Sequence, residues 1–323
     1  MESLNFDRSG AVGLLMLTAS FFWSCSSDES PPDDVAPPVF EAMYSRFDPA
    51  PSSRFSLDGA ALIDQPLQEI SGLATGRKNP EAVYAIEDSG NRNVVFVFDS
   101  SGVLLGEIVL AGATNRDWED LAIGPGPDPD EVYIYVPDFG DNSARRTFVR
   151  IFRFPEPALR LDTVTSVFQL VISDFETITY RYPDGPRDAE TLMIDPDTKD
   201  LIVVTKREPR VRVYHLPFPQ STEADALCYF RGELPFRTIV AGDISPDGSQ
   251  IFIKDYGAVY WWDTVNDGDP IRTMFEMIPS TVAYVPEVQG ESIAVMRDGK
   301  GYFTITEIET TDADPLLYRY RKD

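Results

Sequence analysis

The chain repeats itself at the scale of one small sheet. Five segments place a polar or small residue, one spacer and then Leu or Ile at the start of a short apolar run: Ser71-Gly-Leu, Glu119-Asp-Leu, Glu190-Thr-Leu, Gly242-Asp-Ile and Glu291-Ser-Ile. They are separated by 48, 71, 52 and 49 residues, and three of these four intervals match one four-stranded repeat unit. Each unit continues with a second apolar run that ends in polar residues, as in Ile86-Glu-Asp, Val136-Pro-Asp, Val204-Thr-Lys and Ile253-Lys-Asp. The runs themselves, such as Val94 to Phe98, Val132 to Val136 and Tyr302 to Ile305, are rich in Val, Ile, Phe and Tyr and close on Asp, Gly, Asn or Pro. That is strand-and-turn chemistry, and no segment sustains a helical period. An all-β domain spanning 53–323 and built from such units is a β-propeller of five blades. A six-bladed ring stays open, because the long interval from Glu119 to Glu190 contains Leu161 to Ile172, either an outer strand pair or part of another blade. The last unit, from Gly290, holds only about three strands, so an N-terminal strand near Arg54-Phe-Ser-Leu57 is expected to close the ring.

Residues ahead of the repeats read differently. The apolar run from Ala11 to Trp23 is too short to span a bilayer comfortably and marks 1–24 as a signal peptide, with Arg8 as its positive charge. Ser24-Cys25-Ser26 resembles the end of a bacterial lipobox, although Phe22 and Trp23 depart from the small residues usual there. Lipidation of Cys25 is therefore expected, with the rest of 25–52, rich in Pro, Asp and Ser, as a disordered tether. The protein would be exported and held by lipid at a membrane, periplasmic or at the cell surface. Cys228 is then alone in an apolar stretch, a small buried hydrophobe with no disulfide partner.

Charge narrows the function. Lys+Arg 28 against Asp+Glu 53 gives a net charge of −25, which repels phosphate backbones and anionic lipid surfaces. Nucleic acid is excluded as a partner; cation binding or simple solubility fits, and a monomer is expected. In a propeller the innermost strands line a central channel, so Ser71, Glu119, Glu190, Gly242 and Glu291 converge on one axis. Three carboxylates brought together raise one another's pKa unless a cation compensates, and calcium tolerates an irregular cage of oxygens. Ser71, Glu119, Glu190 and Glu291 are the candidate ligands, with Gly242 leaving room for water. The alternative is that these glutamates accept backbone hydrogen bonds at strand starts.

Second-strand ends bring Asp88, Asp138, Lys206, Lys254 with Asp255, and Glu307 toward one mouth of the channel, and Asp117 and Asp188 lie two residues before Glu119 and Glu190. Acids and bases mixed around a cation suit a small anionic ligand, a phosphate or carboxylate; solvated ion pairs are the plainer reading. The single histidine, His215, excludes a multi-histidine zinc site, and there is no Gly-x-Ser-x-Gly elbow or P-loop. Any catalysis would centre on a cation or a carboxylate.

The segments Arg116-Asp-Trp-Glu-Asp-Leu-Ala122, Asp138-Phe-Gly-Asp-Asn142, Asp188-Ala-Glu-Thr-Leu192, Asp243-Ile-Ser-Pro-Asp-Gly248 and Gly290-Glu-Ser-Ile-Ala294 resemble secreted bacterial propeller proteins related to the esterase-like phytase set. This resemblance runs from about Gln68 to Ala294 and implies the fold more than a substrate. A looser likeness is to calcium-activated nucleotidases, five-bladed propellers whose blades each begin with a Ser or Glu around an axial calcium. Ser71, Glu119, Glu190 and Glu291 match those ligand types, Gly242 stands where that family places Ser, and the substrate-holding segments are not recognisable. The nucleotidase likeness implies calcium more than hydrolysis; the residues leave open a calcium-dependent hydrolase of phosphoesters or related esters and a non-catalytic module that binds a protein or glycan.

Overall fold

The computed structural model describes residues 36–323, apart from 64, 66, 68 and 308–314. The expected signal peptide, 1–24, and Cys25 lie outside the described residues. Two two-residue strands and one long one come first among the described residues: β1 (Phe40–Glu41), β2 (Ala50–Pro51) and β3 (Phe55–Leu62). Blade 1 follows as β4 (Ile70–Thr75), β5 (Ala82–Glu87), β6 (Val94–Asp99) and β7 (Leu104–Leu110). Blade 2 comprises β8 (Ala122–Pro125), β9 (Val132–Asp138) and β10 (Val149–Pro155), then an excursion, β11 (Phe168–Ile172), and β12 (Glu176–Arg181). Blade 3 repeats that plan with β13 (Ala189–Ile194), β14 (Leu201–Thr205), β15 (Arg212–Leu216), the excursion β16 (Ala226–Leu227) and β17 (Tyr229–Glu233). Blade 4 is β18 (Ala241–Ile244), β19 (Ile251–Lys254), β20 (Val259–Trp262), helix α1 (Pro270–Glu276) and β21 (Ser280–Val282). Blade 5 is β22 (Ser292–Val295), β23 (Gly301–Ile305) and β24 (Leu316–Lys322).

Among the described residues these strands form five sheets, each built on an antiparallel four-stranded blade, and the innermost strands β4, β8, β13, β18 and β22 touch in that order and back to β4. The ring is a five-bladed β-propeller. Each inner and second strand is covered on both faces by neighbouring blades, so β4, β5, β13 and β14 are buried at every position instead of alternating. Five apolar layers fill the gaps between blades. Blades 1 and 2, for example, pack Tyr84, Ile108, Trp118, Ile134 and Phe154 together, and blades 4 and 5 pack Phe252, Trp261, Ile293 and Tyr302. Truncating one of these aromatics to Ala is expected to cost about 3–5 kcal/mol.

Ring closure follows the sequence expectation. β3 pairs antiparallel with β24, from Phe55↔Lys322 to Leu62↔Leu316, and supplies the fourth strand of blade 5. The long interval also resolves: it holds no sixth blade, and five are found among the described residues. β11 crosses to blade 1 and lies parallel to β7, from Phe168↔Gly106 to Ile172↔Leu110, as a fifth, outermost strand. β16 does the same for blade 2 by pairing parallel with β12.

Blades 3 and 4 take their fifth strands from the N-terminal segment, which corrects the expected tether. β1 pairs parallel with β17, and β2 pairs parallel with β21. Phe40 stacks on Phe275 of α1 at 5.6 Å, and the buried Tyr44 donates its hydroxyl to the Met274 carbonyl at 2.6 Å. Residues 37–52 therefore belong to the propeller, whose boundary moves from 53 to 37. Proline does not prevent this, because a two-residue strand on a sheet edge needs few N–H donors. Helix α1 is also unanticipated: it is a single short stretch capped by Asp269, whose carboxylate accepts from the Arg272 N–H, with Pro270 at its start. Among the described residues no helix is long and apolar enough to cross a membrane.

Candidate functional site

Inner strands start, and second strands end, at the same end of the channel. Two β-bulges decide what is aimed there. The register of β4 against β5 slips between Ile70 and Gly72, and that of β13 against β14 slips between Ala189 and Thr191. Ser71 and Glu190 are the extra residues, turned out of the normal pleat. Glu119 stands just before β8, its N–H donating to the Pro137 carbonyl at 3.2 Å, and Asp120 after it takes a left-handed φ of 45°. Acidic and amide side chains tolerate that conformation better than branched ones.

Glu119, Glu190 and Glu291 converge as expected: each offers a carboxylate oxygen within 4.8 Å of the others, and all three are buried. Asp88 and Asp117 form a second such group with the same Glu119. Burial lifts Glu119 well above the usual carboxylate range, and Glu190, Asp88, Glu291 and Asp117 lift it further. Burial and Glu291 do the same to Glu190 against the opposing pull of Lys206. Burial pushes Asp88 to about 7, and Asp117 upward with help from Asp188. Glu307, from blade 5, rises to about 8 through burial, Glu291 and Asp88. Six acids thus crowd one end of the channel, a grouping that is unfavourable without positive charge.

Lys206 provides part of that charge. Its Nζ lies 2.5 Å from Glu190 and 2.8 Å from Glu291. Burial works against the ammonium, but Glu190 and Glu291 outweigh it and raise its pKa. The Tyr256 hydroxyl also donates to Glu291. Tyr256 was not singled out by sequence, although it follows Asp255 at a second-strand end equivalent to that of Lys206. Gly140 is a second addition: a Cβ there would stand 2.6 Å from Asp117 Cγ and 2.7 Å from Glu119 Oε1. The absent side chain is what lets these two carboxylates sit where they do.

Other expected residues have different employment. Ser71 donates its hydroxyl to the Trp118 carbonyl at 2.9 Å and so ties blade 1 to blade 2. Gly242 leaves no water space: a Cβ would meet Thr191 at 2.8 Å and the Phe252 carbonyl at 2.9 Å, so it marks a close approach of blades 3 and 4. Asp138 is bound to Arg146 at 3.0 Å and accepts from the Asp117 N–H at 3.1 Å. Asp188 holds Arg207 at 2.6 Å and the Asp141 N–H at 2.7 Å. Lys254 is fully buried, donating to the Gly290 carbonyl and lying 3.5 Å from Glu287. Asp255 builds its own turn through the N–H groups of Gly257 and Ala258 and the Tyr260 hydroxyl. These four act as supports, not as a rim for an anion. His215 sits in β15, 2.8 Å from Asp200 and 3.3 Å from Arg231, and is no part of the acidic cluster. Cys228 is buried, as expected, with its thiol directed to the Arg181 carbonyl.

No protein-family model matches the sequence, and no curated protein does. Among solved structures the chain is similar to the WD40 domain of Pan2 from Neurospora crassa, with 11% identity, 85% of this chain and 97% of that chain covered, and a TM-score of 0.42.

Proposed function

We propose that the protein is an exported, lipid-anchored propeller that binds calcium at the acidic end of its channel. One observation carries this reading: Asp88, Asp117, Glu119, Glu190, Glu291 and Glu307 crowd one space, and among the described residues the Lys206 ammonium contacts just Glu190 and Glu291 of them. Carboxylate oxygens at irregular spacing are the donor set of a hard cation, and calcium accepts six to eight of them without strict geometry. The cradle at Gly140 and the unpaired Asp117 Oδ1 and Glu307 Oε2 fit that chemistry. The lipobox-like Ser24-Cys25-Ser26 behind an apolar leader supports export and anchoring.

The activity that fits an ion held this way is metal-assisted hydrolysis of a phosphoester or related ester. A second reading is a non-catalytic module that binds a protein or glycan, and it is favoured by the position of His215, outside the cluster and committed to Asp200 and Arg231. The test is thermal unfolding of the full chain after chelation, with calcium then restored. Calcium at about 100 times its Kd is expected to stabilise by roughly 2.7 kcal/mol, a rise of several degrees, and Glu119→Gln is expected to remove the response. No response in the unaltered protein would end the calcium reading. Turnover of phosphoester and ester substrates with and without calcium separates hydrolase from binding module.

A further inference from the structure

We propose that the acidic cluster is divided, with the divalent cation held by Asp88, Asp117 and Glu119, and Lys206 serving as the resident counter-ion of Glu190 and Glu291. This rests on the calcium reading above and departs from the symmetric axial site that the repeat suggests.

The two halves differ in what their oxygens touch. Glu190 and Glu291 share the Lys206 ammonium, at 2.5 and 2.8 Å, and Glu291 also accepts from the Tyr256 hydroxyl. Lys206 is held in place by its own strand end, its N–H donating to the Asp188 carbonyl at 3.0 Å, and its ammonium lies over the Tyr256 ring at 5.4 Å. A second cation between these glutamates would have to displace a buried, anchored ammonium.

On the other side, the strongest charges acting on Asp88 and Glu119 are acids. The base that acts on Asp117 is Arg146, already bonded to Asp138. Asp117 Oδ1 has no hydrogen-bond partner among the described residues. Nor has Oε2 of Glu307, a residue only 8% exposed, with Glu291 and Asp88 as its acidic neighbours. An unpaired carboxylate oxygen buried among acids is the costliest arrangement in the cluster, and an oxygen-seeking divalent ion relieves it. Glu119 belongs to both acid groups and is the joint between them.

Equilibrium dialysis of the full chain against calcium alone tests the division. One ion per chain is expected. Asp88→Asn/Asp117→Asn is expected to weaken binding at least about tenfold, whereas Glu190→Gln/Glu291→Gln should leave it within about threefold. Lys206→Met is expected to admit a second ion, with Glu119 between the two. Should Lys206→Met not fold, the contrast between the two double variants, each first checked for the β-sheet circular dichroism of the parent, decides alone. Loss of the ion in the Glu190/Glu291 variant with retention in the Asp88/Asp117 variant would overturn the division and leave the calcium reading standing, as would equal loss in both. No ion in the unaltered chain at millimolar calcium would overturn both.

Discussion

Two kinds of enclosed acid meet opposite surroundings around the inner strands, and Glu119 and Asp120 set one of each side by side. Asp120, next to Glu119, accepts the Leu121 N–H at 2.8 Å and, across the gap to blade 3, the Leu192 N–H at 2.8 Å. Asp243 accepts the Ile244 N–H at 2.8 Å and, across to blade 5, the Val295 N–H at 2.8 Å. These two carboxylates are clamps that join neighbouring inner strands. Glu119, equally enclosed, and the half-buried Asp88 and Asp117 meet chiefly one another. Burial of an acid is therefore no mark of a ligand by itself; what distinguishes the cluster is the shortage of donors around it.

The comparison breaks most sharply under substitution. Asp120→Ala leaves two buried N–H groups without partners and is expected to lower stability by about 4 kcal/mol in urea unfolding, at roughly 1–3 kcal/mol per orphaned donor. Glu119→Gln removes one of several like charges, and without calcium it is expected to leave stability unchanged or raise it. Equal losses in the two variants would erase the distinction between clamp and cluster. A smaller effect is expected at Gly140→Ala, whose methyl group would press on Asp117 and Glu119: about 1–2 kcal/mol of destabilisation, with weaker calcium binding by calorimetry. Unchanged affinity there would mean that the carboxylates shift freely and that the cradle is incidental.

A pH dependence is expected as well, and its sign is fixed by the direction of the shifts. Burial raises Asp243 to about 6, Asp88 to about 7 and Glu307 to about 8, above the ordinary carboxyl value near 4. A group raised on folding contributes fully below its unfolded pKa and loses that contribution as pH climbs through the folded one. The calcium-free melting temperature is thus expected to fall between about pH 4 and pH 8, and saturating calcium to flatten the part due to Asp88 and Glu307. A flat or rising calcium-free profile would contradict the crowding of uncompensated acids.

Much of this was legible in the sequence because repetition projects onto a ring. Equivalent positions in successive units must meet at the axis, which brought out Glu119, Glu190 and Glu291, and the second-strand ends added Asp88, Lys206 and Glu307. Spacing, however, says where a side chain lies along its strand and not what faces it across the channel. Lys206 was expected to await an anionic ligand, yet its partners are Glu190 of the same blade and Glu291, two blades away. Asp138 and Asp188 were expected at the mouth for the same reason, while Arg146 and Arg207 bind them one layer out. The parallel fifth strands were hidden because pairing of β1 with β17, or β11 with β7, has no local signature: each edge strand is short and its partner lies far along the chain.

The N-terminal strands also set the order in which the molecule can be completed. β1, β2 and β3 are made before their partners β17, β21 and β24. Each pairing joins segments far apart along the chain, so the seam forms over large sequence separations, a topology that folds slowly. Until β24 has been made β3 has no partner strand, and the ring stays open at its seam.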